Sequence, residues 1–81
     1  MNDKVVQAVL TANVALLLEV KGWSLRELAR QTEDSVTTLQ GITSGKSLPK
    51  AGIVKRIADA FEISVDQLYD PQLKKNLSAV H

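Results

Sequence analysis

The sequence predicts an all-α fold, a compact bundle of five short helices in one domain. Three observations predict it. Apolar residues recur at i, i+3 and i+4 spacing in separate stretches of the chain. Ser24 with Glu27, and Ser64 with Gln67, form boxes that mark helix starts, while Gly22, Gly45 and Asp70-Pro71 mark helix ends. The chain has 81 residues and no cysteine, so one modest core must hold it without disulfides or thiolate-bound zinc.

A first helix is expected over about residues 4–21, capped by Asn2 or Asp3 and stopped at Gly22. Its apolar residues cover two stripes: Val6, Leu10, Val14 and Leu17 with Lys21, and Val5, Val9, Ala12, Leu16 and Val20. A small domain seldom needs both. Either this helix is deeply embedded, or its N-terminal half packs against a second copy of the chain. Asn13 interrupts the apolar surface and is expected to find a partner near the turn after Gly22. Trp23 follows, placed to close the core while its N–H reaches a backbone carbonyl.

The stretch 24–45 then reads as two helices joined by a tight turn. Ser24 accepts from the third helical N–H and Glu27 reaches back, so the second helix starts at Leu25 and buries Leu25, Leu28, Ala29 and Thr32. Asp34 or Ser35 caps the third helix, which runs to about Thr43 with Leu39 and Ile42 inward. Its outward face is unusual. Between Ser35 and Ser44 there is no charge, only Val36, hydroxyls, Gln40 and Gly41. Thr and Val methyls can touch a thymine methyl, and Gln can bond adenine N6 and N7 together in a major groove.

Residues 45–52 form a loop by composition, and Pro49 is expected to open a fourth helix running to about Phe61, with Ile53, Val54, Ile57, Ala58 and Phe61 inward. A short fifth helix follows Ser64 through about Tyr69, burying Val65 and Leu68. Residues 1–70 are expected to form the domain. The polar tail 71–81, with Leu73, Leu77 and Val80 at roughly helical spacing, is expected to be frayed or to assist dimerisation.

Net charge is only +1, but it is unevenly distributed. Residues 21–56 hold Lys21, Arg26, Arg30, Lys46, Lys50, Lys55 and Arg56 against Glu27, Glu33 and Asp34, a balance of +4. The rest holds Lys4, Lys74 and Lys75 against Asp3, Glu19, Asp59, Glu62, Asp66 and Asp70, a balance of −3. One basic face and one acidic face suit a protein laid on phosphates.

Catalysis finds little support. His81, the last residue, is the sole histidine, the serines have no partner base, and there is no Gly-rich phosphate loop. No enzyme activity, cofactor, metal or small-molecule ligand is expected. The run from Val5 to Val20 is broken by Gln7, Thr11, Asn13 and Glu19 and falls short of the ~20 residues of a membrane span; it does not resemble a signal peptide either. A cytoplasmic, nucleoid-associated protein is expected.

The chain resembles the helix-turn-helix family of phage repressors and Cro proteins over about residues 10–70 without a gap. The resemblance is carried by Asn13-Val14 with Leu17, Gly22-Trp23-Ser24, Glu27-Leu28-Ala29, Ser35 through Leu39, Ile42, Gly45-Lys46, Pro49, Ile57-Ala58 with Ala60, and Ile63-Ser64-Val65-Asp66 with Leu68. It implies that the third helix enters the major groove. Val36, Thr37, Thr38 and Gln40 would then contact bases, and Ser24, Arg26, Ser35, Ser44, Lys46, Ser47 and Lys50 would contact phosphates.

Three positions depart from the family pattern. The turn reads Thr32-Glu33-Asp34 where the family has apolar-Gly-apolar, so Glu33 is expected in a left-handed conformation costing about 1 kcal/mol or more, with the turn opened or reshaped. Leu25 stands where Gln often supports readout, and Gly41 where a reading side chain often stands, which favours recognition of DNA shape. The function expected is a sequence-specific transcriptional regulator, a phage or mobile-element repressor or Cro-like protein acting as a homodimer on a pseudo-palindromic double-stranded operator. The alternative is a protein-interaction module of the same fold, antitoxin- or adaptor-like; a third reading makes the chain the DNA-binding part of a longer repressor.

Overall fold

A computed structural model describes residues 3–79; Asn2 as a cap, Val80 and His81 lie outside the described residues. The elements are α1 (Asp3–Lys21), α2 (Leu25–Thr32), α3 (Val36–Thr43), α4 (Ala51–Ala60), α5 (Val65–Leu68) and α6 (Leu73–Ala79). Among the described residues the fold is all-helical, with one helix more than the five expected. Helix α2 packs on both α3 and α4, while α1 reaches across to α3, α5 and α6.

Helical periodicity decides which side chains meet. Leu10, Val14 and Leu17 of α1 join Leu28 and Ala29 of α2, Leu39 and Ile42 of α3, and Val54, Ile57 and Ala58 of α4 in one core. Phe61, Leu68 and Leu73 close it. The second stripe of α1 stays largely outside. Val5 is 45 % exposed and Val20 62 %, Ala12 is exposed, and Val9 and Leu16 are half-buried.

The expected ends are found at Gly22 (φ 69) and Gly45 (φ 74), where left-handed backbone favours glycine. Ser64 and Gln67 make a complete capping box at α5. The box at α2 is only half made. Ser24 Oγ accepts from Glu27 N at 3.1 Å, but the Glu27 carboxylate does not return; it accepts from Arg30 Nη2 at 2.6 Å and Gln31 Nε2 at 2.9 Å. A charged donor one turn ahead outcompetes a backbone N–H one turn behind.

Helix α4 begins at Ala51 rather than at Pro49. Lys50 is extended (φ −71, ψ 153), and its carbonyl accepts from Ile53 N and Val54 N at 3.0 and 3.1 Å. The first turn therefore forms after Lys50, and Pro49 stays in the loop, where its missing N–H costs no bond.

The partner of Asn13 is not the turn after Gly22 but the end of α5. Its Nδ2 donates to Leu68 O at 2.8 Å and Asp70 O at 2.9 Å, satisfying carbonyls that the short helix leaves over. Asp70 also starts α6: its carboxylate accepts from Gln72 N at 2.8 Å and Asn76 Nδ2 at 2.6 Å. Leu73, 1 % exposed, anchors that helix in the core.

Trp23 stacks on Phe61 with ring centroids 5.4 Å apart, and the Lys21 ammonium lies 5.9 Å from its ring centroid. The indole is held by these ring contacts, and its N–H makes no hydrogen bond among the described residues, unlike the one expected of it. Among the described residues, no single helix is long and apolar enough to cross a membrane.

Candidate nucleic-acid interface

Helix α3 packs on α1 and α2 and leaves one face outward. Leu39 and Ile42 are buried, and Val36 is half-buried against the core. Thr37, Thr38, Gln40 and Ser44 are exposed. Thr37, Gln40 and Ser44 recur at i, i+3 and i+7, which places them on one side of the helix.

The hydroxyls divide by what they already do. Ser35 caps α3 by accepting from Thr38 N at 3.0 Å, and it donates its proton to Thr38 Oγ1 at 2.8 Å. Thr38 consequently keeps its own hydroxyl proton for an outside acceptor. Ser44 Oγ donates to Gly41 O at 3.3 Å, a long bond that a better acceptor can replace. The Thr37 hydroxyl and the Gln40 amide make no bond to the rest of the described chain. They are the groups on this face with hydrogen-bonding capacity to spend.

Gly41 lies under the loop that follows the helix. Its carbonyl accepts from Lys46 N at 3.0 Å and Ser47 N at 3.3 Å, so the loop folds back over the helix. A Cβ there would stand 2.8 Å from Ser47 Oγ. This wrapping brings Ser47, Leu48, Pro49 and Lys50 up beside Thr37, Thr38 and Gly41, so that loop and helix line one recess floored by Ile42 and Ile53. Thr37 and Thr38, expected to read bases, thus neighbour Ser47 and Lys50, expected to hold phosphates. Sequence reasoning omits Leu48 from this surface. It is 51 % exposed, and its only sequence signal is an apolar side chain inside a polar loop.

Charge is sorted as clearly. Within residues 21–56 four cations are paired: Arg30 with Glu27 at 2.6 Å, Lys55 with Asp59 at 2.6 Å, Arg56 with Asp34 at 2.7 Å, and Lys21 with Glu62 at 3.9 Å. Arg26, Lys46 and Lys50 are exposed and have no ion-pair partner among the described residues. Lys46 and Lys50 lie in the loop that folds back beside α3, and Arg26 lies in the first turn of α2. Ser24, beside Arg26, accepts at its oxygen but keeps its hydroxyl proton.

The turn between α2 and α3 is closed, not opened. Glu33 is left-handed as expected, at φ 60 and ψ 26, and Asp34 N donates to Ala29 O at 3.2 Å. The Asp34 side chain is only 12 % exposed. It takes the place of an apolar residue by accepting from Arg56 Nε at 3.2 Å and Nη2 at 2.7 Å. The guanidinium holds its carboxyl below the usual carboxylate range, outweighing the opposing effect of burial.

This arrangement is an uncharged helix face, rich in small hydrogen-bonding groups and flanked by uncompensated cations. It can lie close to a grooved polyanion. Comparison with known proteins bears on the same residues. A helix-turn-helix family model matches residues 15–68, from the middle of α1 through the end of α5. The crystal structure of the hypothetical transcription factor NHTF from Neisseria superposes with a TM-score of 0.81 at 28 % sequence identity, covering 98 % of this chain and 91 % of that one. No curated protein matches the sequence.

Proposed function

This chain belongs to the helix-turn-helix family in its Cro and phage-repressor form, and on that premise we propose that it is a sequence-specific transcriptional regulator. In this reading it binds a pseudo-palindromic DNA operator as a homodimer and represses by occupying the site. The observation that carries the proposal is that Thr37 and Gln40, exposed on α3 and without a side-chain hydrogen bond among the described residues, stand beside a loop carrying the unpaired cations Lys46 and Lys50.

The division of labour follows from the side chains. Gln40 offers a donor and an acceptor together, the pattern that adenine N6 and N7 match in the major groove. Thr37 and the exposed part of Val36 present methyls to thymine, and Thr38 offers a hydroxyl donor. Ser24, Arg26, Ser35, Ser44, Lys46, Ser47 and Lys50 anchor phosphates, which fixes register without reading sequence. Ser35 does so through its backbone N–H, because its hydroxyl proton is given to Thr38 Oγ1. No bond is made or broken in the DNA; the regulator competes for a site.

The exposed second stripe of α1 supports a dimer. Two copies of α3 related by a two-fold axis would sit about 34 Å apart, one turn of DNA. The exposed Leu48 and the uncharged face of α3 also suit the second reading, a protein-binding module. Gln40→Ala tests the first. Losing a bidentate base contact costs about 1–3 kcal/mol per half-site, so a dimer on two half-sites should lose at least roughly 30-fold in affinity for the best selected site while affinity for random duplex stays nearly constant. Equal losses on both would remove Gln40 from base readout.

A further inference from the structure

Three consecutive residues determine how the chain enters α3. Glu33 reverses it in a left-handed conformation, Asp34 ties it to α4, and Ser35 caps the new helix. The tie is the unexpected member. Asp34 and Arg56 are 22 residues apart and meet at two points, 2.7 and 3.2 Å. A two-point fork fixes relative orientation, which a single point charge cannot do.

Helix α3 is two turns long; it packs on α2 and α1 through Leu39 and Ile42, with Val36 half-buried at its start. The fork adds a polar contact from the turn before α3 to α4, at two points. Asp34 immediately precedes the capping Ser35, and its partner sits on α4, which packs on α2. The fork therefore references the start of α3 to the α2–α4 scaffold. The same contact withdraws Arg56 from the cations available to DNA.

We propose that the Asp34–Arg56 pair is a positioning element for DNA readout: it sets the angle of α3 and so determines sequence specificity without touching DNA. The inference rests on the DNA-binding reading above, and its test separates the two.

Asp34→Asn and Arg56→Gln change net charge in opposite directions. An effect of charge alone would raise random-duplex affinity in the first and lower it in the second. Loss of the fork instead lowers the ratio of specific to random affinity in both, by about tenfold for each half-site in which one base contact is misaligned. Arg56→Lys, which keeps the charge but not the fork, should fall between wild type and Arg56→Gln. Kd for the best site from a random-pool selection, Kd for random duplex, and Tm would be measured on all four proteins. Falling ratios in both neutralised variants support the inference. Unchanged ratios beside a lowered Tm reduce the pair to a structural strut and overturn it, and opposite shifts in random-duplex affinity with constant ratios assign it to charge alone. If wild type binds no duplex even at low salt, the DNA-binding reading falls and the inference falls with it.

Discussion

Removing Lys46 should change how binding depends on salt rather than how the protein folds. Lys46 is exposed, has no ion-pair partner, and contributes to the fold through its backbone N–H to Gly41 O at 3.0 Å, which alanine retains. Each neutralised phosphate contributes about −0.9 to the slope of log K against log salt. A dimer presenting Arg26, Lys46 and Lys50 twice should give a slope near about −5, equivalent to roughly a thousandfold loss between 50 and 200 mM salt. Lys46→Ala removes two of those contacts per dimer. Its slope should rise to about −3.6, and the loss over the same range should shrink to roughly a hundredfold. Lys55→Ala is the control, because Lys55 is already paired with Asp59 at 2.6 Å and should leave the slope unchanged. Fluorescence anisotropy titrations on random duplex at four or five salt concentrations measure it. An unchanged slope in Lys46→Ala, or an equal change in Lys55→Ala, would refute the assignment of phosphate contacts from unpaired charge.

Three further outcomes are expected. Asn13→Ala strands the carbonyls of Leu68 and Asp70 and should cost about 2–4 kcal/mol, lowering Tm by at least about 8 °C in thermal melts; a fall of only a degree or two would mean that the two bonds are dispensable. Glu33→Gly relieves a left-handed non-glycine residue at φ 60 and should raise Tm by a few degrees, since a strain of about 1 kcal/mol exceeds the entropy that glycine adds to the unfolded chain; a lower Tm would show that the turn is unstrained. The Asp34 carboxyl titrates below its ordinary value because of Arg56, so its contribution is fully present above about pH 4 and is lost as pH falls through the depressed folded value. Asp34→Asn should therefore be less stable than wild type at pH 7 and should lose less stability than wild type on acidification below about pH 4, as read by urea melts across pH; parallel acid limbs would contradict the pairing.

The helices legible in the sequence were those with local signals. Ser64 and Gln67 stand three apart and complete their box, Gly22 and Gly45 end helices where left-handed backbone is needed, and Leu39 and Ile42 turn inward at helical spacing. What was not legible depended on distant partners. Asp70-Pro71 reads as a stop, and only the bonds from Gln72 and Asn76 to the Asp70 carboxylate show that it also begins α6. Asn13 finds acceptors 55 and 57 residues away, and nothing local in the sequence points to them. The Thr32-Glu33-Asp34 turn looked defective because Arg56, which makes it sound, lies on another helix. At the interface, exposure of Thr37, Thr38 and Gln40 followed from the helical pattern. Which cations were free did not, because Arg56 and Lys55 carry the same charge in sequence as Lys46 and Lys50 and differ only in who stands beside them.

The central claim, DNA binding by the face of α3, is tested most directly by titrating labelled random-sequence and upstream-region duplexes with the protein at two salt concentrations, with sedimentation of the free protein alongside. The expected result is binding by a dimer that weakens steeply with salt, with one region held far more tightly than random sequence. No binding even at low salt would contradict it and favour a protein partner for the same face.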